Sequence, residues 1–259
     1  MFKIRSAFFN DKIFTICLSA GLIGCKKEVP LEFTTKTYDF KSDNDCTVGN
    51  CTYVHFEIPV ASGNKVITTP INNRIFDFFE SVMSFEDENK TTSYDTLALS
   101  FIDHFNEMNR TYPDNAIAWE ANFKTEHKGL SSKVYQVLWD YYIFSGGAHG
   151  FQATKVFLFD TTTGKIVPTK DLFINYEGFK DYAESEFKKQ LNITGNLNTA
   201  GFTFEKNVFK LPENFYESTN EWILHYNPYE IAPYVQGATV IKLPKEKVAR
   251  FLNPIYFKN

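Results

Sequence analysis

Val134-Tyr-Gln-Val-Leu-Trp-Asp-Tyr-Tyr-Ile-Phe144 is apolar on both of its alternating faces. A strand of that kind is central in a sheet, or has a helix on one side and a ligand or partner on the other. Upstream, Ile117 to Thr125 reads as a second strand, joined to the first through a turn at Lys128-Gly129. Downstream, Gly146-Gly-Ala-His-Gly150 makes a tight connection into a strand from Thr154 to Phe159. The turn Thr162-Thr-Gly-Lys165 then leads to a third short strand.

Further out, Tyr53, His55 and Glu57 alternate with Val54, Phe56 and Ile58. That is a strand over 52–59 with one apolar face, and it turns His55 toward solvent. Thr69-Pro70 reads as an N-cap with proline at the first helical position, opening a helix over 70–86. Leu97, Phe101, Phe105 and Met108 share one face of a second helix, ended by Pro113-Asp114. A third helix covers 176–191, followed by strands 222–226 and 238–243 and a short helix opened by Pro244. Turn-paired strands with helices grouped between them argue for an α+β fold of two small domains. The expected form is antiparallel sheets with helices on one face.

The N-terminus follows a different logic. Lys3 and Arg5 precede an apolar run from Ile13 to Ile23, with small residues at Ser19, Ala20 and Gly24. This is the layout of an export signal. Eleven residues rise about 16 Å as a helix, roughly half of a 30 Å hydrocarbon core, so the run is too short to span. Leu22-Ile-Gly-Cys25 resembles a bacterial lipobox, which implies cleavage before Cys25 and acylation of its thiol. The alternatives are a plain signal peptide or a buried N-terminus. The expected layout is a signal peptide over 1–24 and a tether over 25–35, then domains over 36–145 and 146–259. The protein would then be extracytoplasmic, held to the cell envelope by its lipid.

The net charge is −4, and removal of Lys3, Arg5 and Lys12 with Asp11 takes it to −6. A mildly acidic chain argues against nucleic acid or anionic headgroups as partners. Aromatic content is 17%, with 27 Phe and 14 Tyr, enough for a sizeable core. Cys46 and Cys51 are separated by a turn-forming Thr-Val-Gly-Asn. In an oxidising compartment they can close a small disulfide loop; a metal site would need further soft ligands, with His55 the nearby candidate.

Chemistry is sparsely signalled. The glycine cluster is followed by a strand and lacks a Walker-type lysine, so it reads as a turn needing φ > 0 at two or three positions. His149 inside it is a base, a ligand, or a ring held by the loop backbone. No two of the five histidines have helical ligand spacing, and neither a His-Glu-x-x-His nor a Gly-x-Ser-x-Gly motif occurs. No cofactor or metal is implied and no nucleophile stands out, so binding is favoured over catalysis, with a hydrolase of dispersed site as an alternative. In Tyr226-Asn-Pro-Tyr-Glu-Ile-Ala-Pro-Tyr234, two prolines restrict a backbone flanked by tyrosines. Rigid tyrosines make good surfaces for proteins or sugars, or else pack the loop on the sheet. Tyr141, His149, Tyr229 and Tyr234 are the candidate ligand-binding residues.

Two segments carry a family resemblance. Tyr142-Ile-Phe-Ser-Gly-Gly-Ala-His-Gly150 with Thr163-Gly-Lys165 and Asp171-Leu-Phe173 resembles the signature of the RsiV-type extracytoplasmic domain. Tyr226 to Gly237 resembles that domain's C-terminal signature, and residues 35–140 are similar to the partner domain that precedes the deacetylase module of PdaC-like proteins. The resemblance implies the two-domain α+β fold and a capacity to bind, with lysozyme as the family's protein ligand and peptidoglycan as the alternative. The chain departs from the family in two respects. Only the signal precedes Cys25, so no anti-sigma segment is expected, and no length remains for a deacetylase.

Overall fold

The computed structural model describes residues 29–42, 51–85, 93–113 and 117–258. The expected signal peptide, Cys25 and Cys46 lie outside those residues. The first strand, β1 (Glu32–Lys41), pairs antiparallel with β2 (Tyr53–Ser62), Glu32 opposite Ser62 and Lys41 opposite Tyr53. β1 therefore takes residues 32–35 of the segment expected to be tether. In β2 the alternation holds: Val54, Phe56 and Ile58 are buried, and His55 points the other way, its Nδ1 2.8 Å from Asp39.

Two helices follow, α1 (Lys65–Met83) and α2 (Tyr94–Thr111). α1 starts earlier than the sequence suggested, because Asn64 caps it by accepting a hydrogen bond from Val66 N at 3.0 Å. Pro70 lies in the second turn, where it removes one backbone donor, instead of at the start. Ile71, Ile75, Phe78 and Phe79 keep their helical spacing and are buried. Ser93 caps α2 by accepting from Thr96 N at 3.1 Å.

The chain then returns as β3 (Glu120–Gly129), β4 (Val134–Phe144) and β5 (Phe151–Asp160), giving one sheet in the order β1-β2-β3-β4-β5. All neighbours are antiparallel except β2 and β3. That parallel pair corrects the expectation of purely antiparallel sheets. A long helical crossover can bring the chain back in the same direction, which a tight turn cannot.

The remainder holds α3 (Tyr176–Gln190) and an antiparallel sheet of β6 (Asn214–Glu217), β7 (Glu221–Tyr226) and β8 (Thr239–Pro244). Short helices α4 (Lys245–Val248) and α5 (Pro254–Phe257) follow. The strand expected after Lys165 reduces to a single bridge between Phe159 and Ile166, and β6 had no expected counterpart.

The fold is α+β, with a core on each side of β4. Val137 and Trp139 join Phe56, Phe79 and Phe123 beneath α1 and α2. Val134 and Leu138 join Phe179, Phe187, Phe215 and Trp222 of the C-terminal half. This is why the strand is apolar on both faces. The boundary expected at 145/146 falls in the turn between β4 and β5, which pair from Ile143–Phe151 to Val134–Asp160. β5, assigned by sequence to the C-terminal domain, is therefore an edge of the N-terminal sheet.

Side-chain amides cover much of that edge. Thr154 N donates to Asn227 Oδ1 at 2.8 Å, and Asn227 Nδ2 donates to Thr154 O at 2.9 Å. Val156 N donates to Asn214 Oδ1 at 3.0 Å. Gln136 makes the same two-bond clasp on the backbone of Glu217, at 2.8 and 3.0 Å.

Candidate functional site

The turn from β4 into β5 uses positive φ at Gly146 (96°) and Gly147 (88°), the conformation that the glycine cluster was expected to need. His149 follows, its Nδ1 donating to Gly150 O at 2.9 Å. The same carbonyl accepts from Tyr234 Oη at 2.7 Å. The His149 and Tyr234 rings stack at 4.1 Å and 13°, and the Tyr229 ring stacks with Tyr234 at 5.3 Å and 29°.

Tyr229 reaches that position through an unusual backbone. Glu230 N donates to Asn227 O at 3.1 Å, closing a turn with Pro228 second and Tyr229 third. Tyr229 has φ of 71°, the left-handed value that a type II turn reserves for glycine. The Glu230 carboxylate fixes the turn by accepting from Asn227 N at 2.9 Å and Glu213 N at 3.3 Å. The Tyr229 side chain is left 60% exposed. A left-handed non-glycine costs about 1–2 kcal/mol and persists only where surrounding bonds over-determine it.

Beside the aromatic stack opens a cleft of about 740 Å³, lined by Asp140, Gln152, Thr154, His225, Tyr234 and Val235 among others. Asp140 Oδ1 accepts from Thr154 Oγ1 at 2.6 Å. His225 Nδ1 is buried without a hydrogen-bond partner. Burial holds the His225 imidazole below its ordinary pKa, opposed by the Asp140 charge. The Tyr216 hydroxyl nearby is pushed up to about 12, first by burial and then by Asp140 and Glu126. Val235 at the rim is 91% exposed.

Three of the four nominated residues thus meet, and Tyr141 does not. One residue from Asp140, it alternates to the opposite face, stacks on Phe123 at 5.0 Å and packs against Phe78. Burial there raises its hydroxyl to about 12. Asp140, Gln152 and His225 were missed. Asp140 had a legible signal, as the one charge in the run 134–144; the other two had none. Cys51 sits half-buried before β2, and its expected partner Cys46 is outside the described residues. Ser42 N donates to Thr52 O and Thr52 N donates to Ser42 Oγ, each at 3.0 Å, which extends the β1–β2 pairing one step beyond Lys41 and Tyr53. Among the described residues no His, Cys, Asp and Glu group is arranged to hold a metal ion, and no helix is long and apolar enough to cross a membrane.

The half that carries Tyr229 and Tyr234 places the chain among known sequences. Residues 170–246 match DUF3298, a protein of unknown function. The matched segment begins ten residues beyond the end of β5 and runs through α3 and all three C-terminal strands. A DUF3298 family member from Bacteroides fragilis is similar in structure, with a TM-score of 0.64 and 17% identity, over 88% of this chain and 97% of that one. A DUF3298 family protein from Pseudomonas aeruginosa gives a TM-score of 0.58 and 15% identity, over 88% and 96%. At these identities the likeness concerns the fold. No curated protein sequence matches the chain.

Proposed function

We propose that the protein is a lipid-anchored, extracytoplasmic binding protein of the cell envelope. It captures a protein ligand on the Tyr229–Tyr234–His149 surface, in the manner implied by its resemblance to RsiV-type domains with a PdaC-like N-terminal half. The observation that carries this reading is the convergence of three aromatic rings from two loops, His149 from one and Tyr229 and Tyr234 from the other, beside a cleft. A strained turn that presents a tyrosine outward is costly for packing alone and suits recognition. Rigid tyrosines lose little side-chain entropy on binding.

Lysozyme is the first ligand to test, by calorimetry against the chain and its Tyr229→Gly variant. Glycine accepts the left-handed backbone, so the fold should keep or gain stability while the exposed ring is lost. Binding to the parent, weakened at least about tenfold in the variant, is the expected result. Equal binding by both proteins excludes this surface, and no heat with either removes lysozyme as ligand. Co-sedimentation with purified peptidoglycan, sensitive to the same substitution, would favour the glycan alternative instead. The anchor is tested separately: growth with labelled palmitate should mark the protein, and Cys25→Ala should abolish the label.

A further inference from the structure

We propose that the cleft beside Tyr234 receives an extended peptide segment with a basic side chain, which pairs with the uncovered edge of β5 at Gln152. This deepens the protein-ligand reading above and rests on it.

Alternation along β5 decides which of its peptide groups face outward. The β4–β5 register is regular from Ile143–Phe151 to Val134–Asp160, without a bulge. Thr154 N and Val156 N donate outward to Asn227 and Asn214, so residues of their parity present their peptide groups away from β4. Gln152 has the same parity. Beyond it, Gly150 O is already taken by Tyr234 and His149. Among the described residues nothing occupies the outward N–H and C=O of Gln152, and Gln152 lines the cleft. The edge is thus covered on both sides of a single open residue.

One open strand residue offers a donor and an acceptor side by side. Another extended amino-acid residue satisfies both at once, as in an antiparallel hydrogen-bonded pair and in strand-addition complexes. An isolated acetamido group carries one amide and meets only one of them. The cleft's charge is set by Asp140, which receives Thr154 Oγ1 and, among the described residues, is ion-paired to no lysine or arginine. A basic side chain complements that carboxylate. Tyr234, Pro228 and Val235 supply apolar walls for the flanking residues, and His225 lines the same cleft.

The probe is acetyl-Val-Lys-Val-amide, titrated into isotope-labelled protein with backbone amide resonances followed. Saturable shifts centred on Gln152 and His225 are expected. N-methylation of the lysine residue's backbone nitrogen should weaken binding about tenfold, the effect of one lost hydrogen bond. Gln152→Pro should abolish binding with an unchanged melting temperature, because proline is tolerated where an edge N–H faces outward. Asp140→Asn should weaken the lysine peptide but not its norleucine analogue. The proposal is overturned by the absence of saturable shifts, by equal binding of the N-methyl peptide, or by full binding to Gln152→Pro. If lysozyme binds but peptides do not, and Gln152→Pro binds lysozyme normally, this inference falls and the broader reading stands. Peptide binding without lysozyme binding upholds this inference and removes only lysozyme as the ligand.

Discussion

Asn227 holds both peptide groups of Thr154 with one side chain, standing in for a missing neighbour strand. Asn227→Ala should cost about 1–3 kcal/mol, the range for leaving buried backbone partners unsatisfied, and should expose the β5 edge to self-association. Chemical denaturation and light scattering would measure the two effects; a variant that is equally stable and monomeric would contradict the assignment. Two histidines set a pH dependence at this scale. Burial lowers the pKa of His127 and of His225 from the model-peptide value of 6.5. The unfolded chain then takes up protons that the fold refuses as pH drops below about 6.5. The stability contribution is full above that pH and is lost progressively below it. Thermal melts should be flat from pH 7 to 8 and decline toward pH 5, and His225→Gln should reduce the slope. Little of this could be read from sequence. His225 looks like any strand histidine, and its isolation in a cleft wall depends on the loop 227–238 passing over it.

Strands and helices were the best-read level. Alternation located β2, and helical spacing located α2 and α3, because burial on one face imposes a period on the chain; β4 was legible as a run apolar on both faces. The start of α1 was misplaced because Thr69-Pro70 has the right local chemistry for a cap, while Asn64 has it one turn earlier and makes the bond. β6 is four residues long and follows Pro212, too short to leave a pattern. The two-faced strand β4 yields a sharp test. Trp139→Ala opens the core under α1 and α2, at about 3–5 kcal/mol, and Leu138→Ala opens the C-terminal core, at about 2–5 kcal/mol. Both should lower the same denaturation midpoint, as followed by circular dichroism and by tryptophan emission. Separate transitions, each touched by one substitution, would mean that the two cores unfold independently.

For the whole molecule, the shared strands β4 and β5 bind the two cores into one unit. Lys128 of β3 reaches Glu217 Oε1 of β6 at 3.3 Å and ties the halves again, and Lys245 reaches the same oxygen at 2.8 Å from within the C-terminal half. A fragment ending at residue 145 loses β5 and uncovers Val134 and Leu138 on β4. It should be insoluble or molten, whereas a fragment carried through β5 keeps its sheet but still bares one face. Recovery of a cooperatively folding 36–145 fragment would refute this. The sequence by itself determined the α+β class, the main elements and the tyrosine-proline and glycine loops, because periodicity, caps and turn residues act over a few neighbours. Only the tertiary structure decided that β2 and β3 run parallel, that β5 completes the N-terminal sheet, and that His149, Tyr229 and Tyr234 stack while Tyr141 packs, half-buried, against Phe123 on the other face. Those outcomes depend on which segments, up to 85 residues apart, come to lie side by side, and local preference carries no information about that.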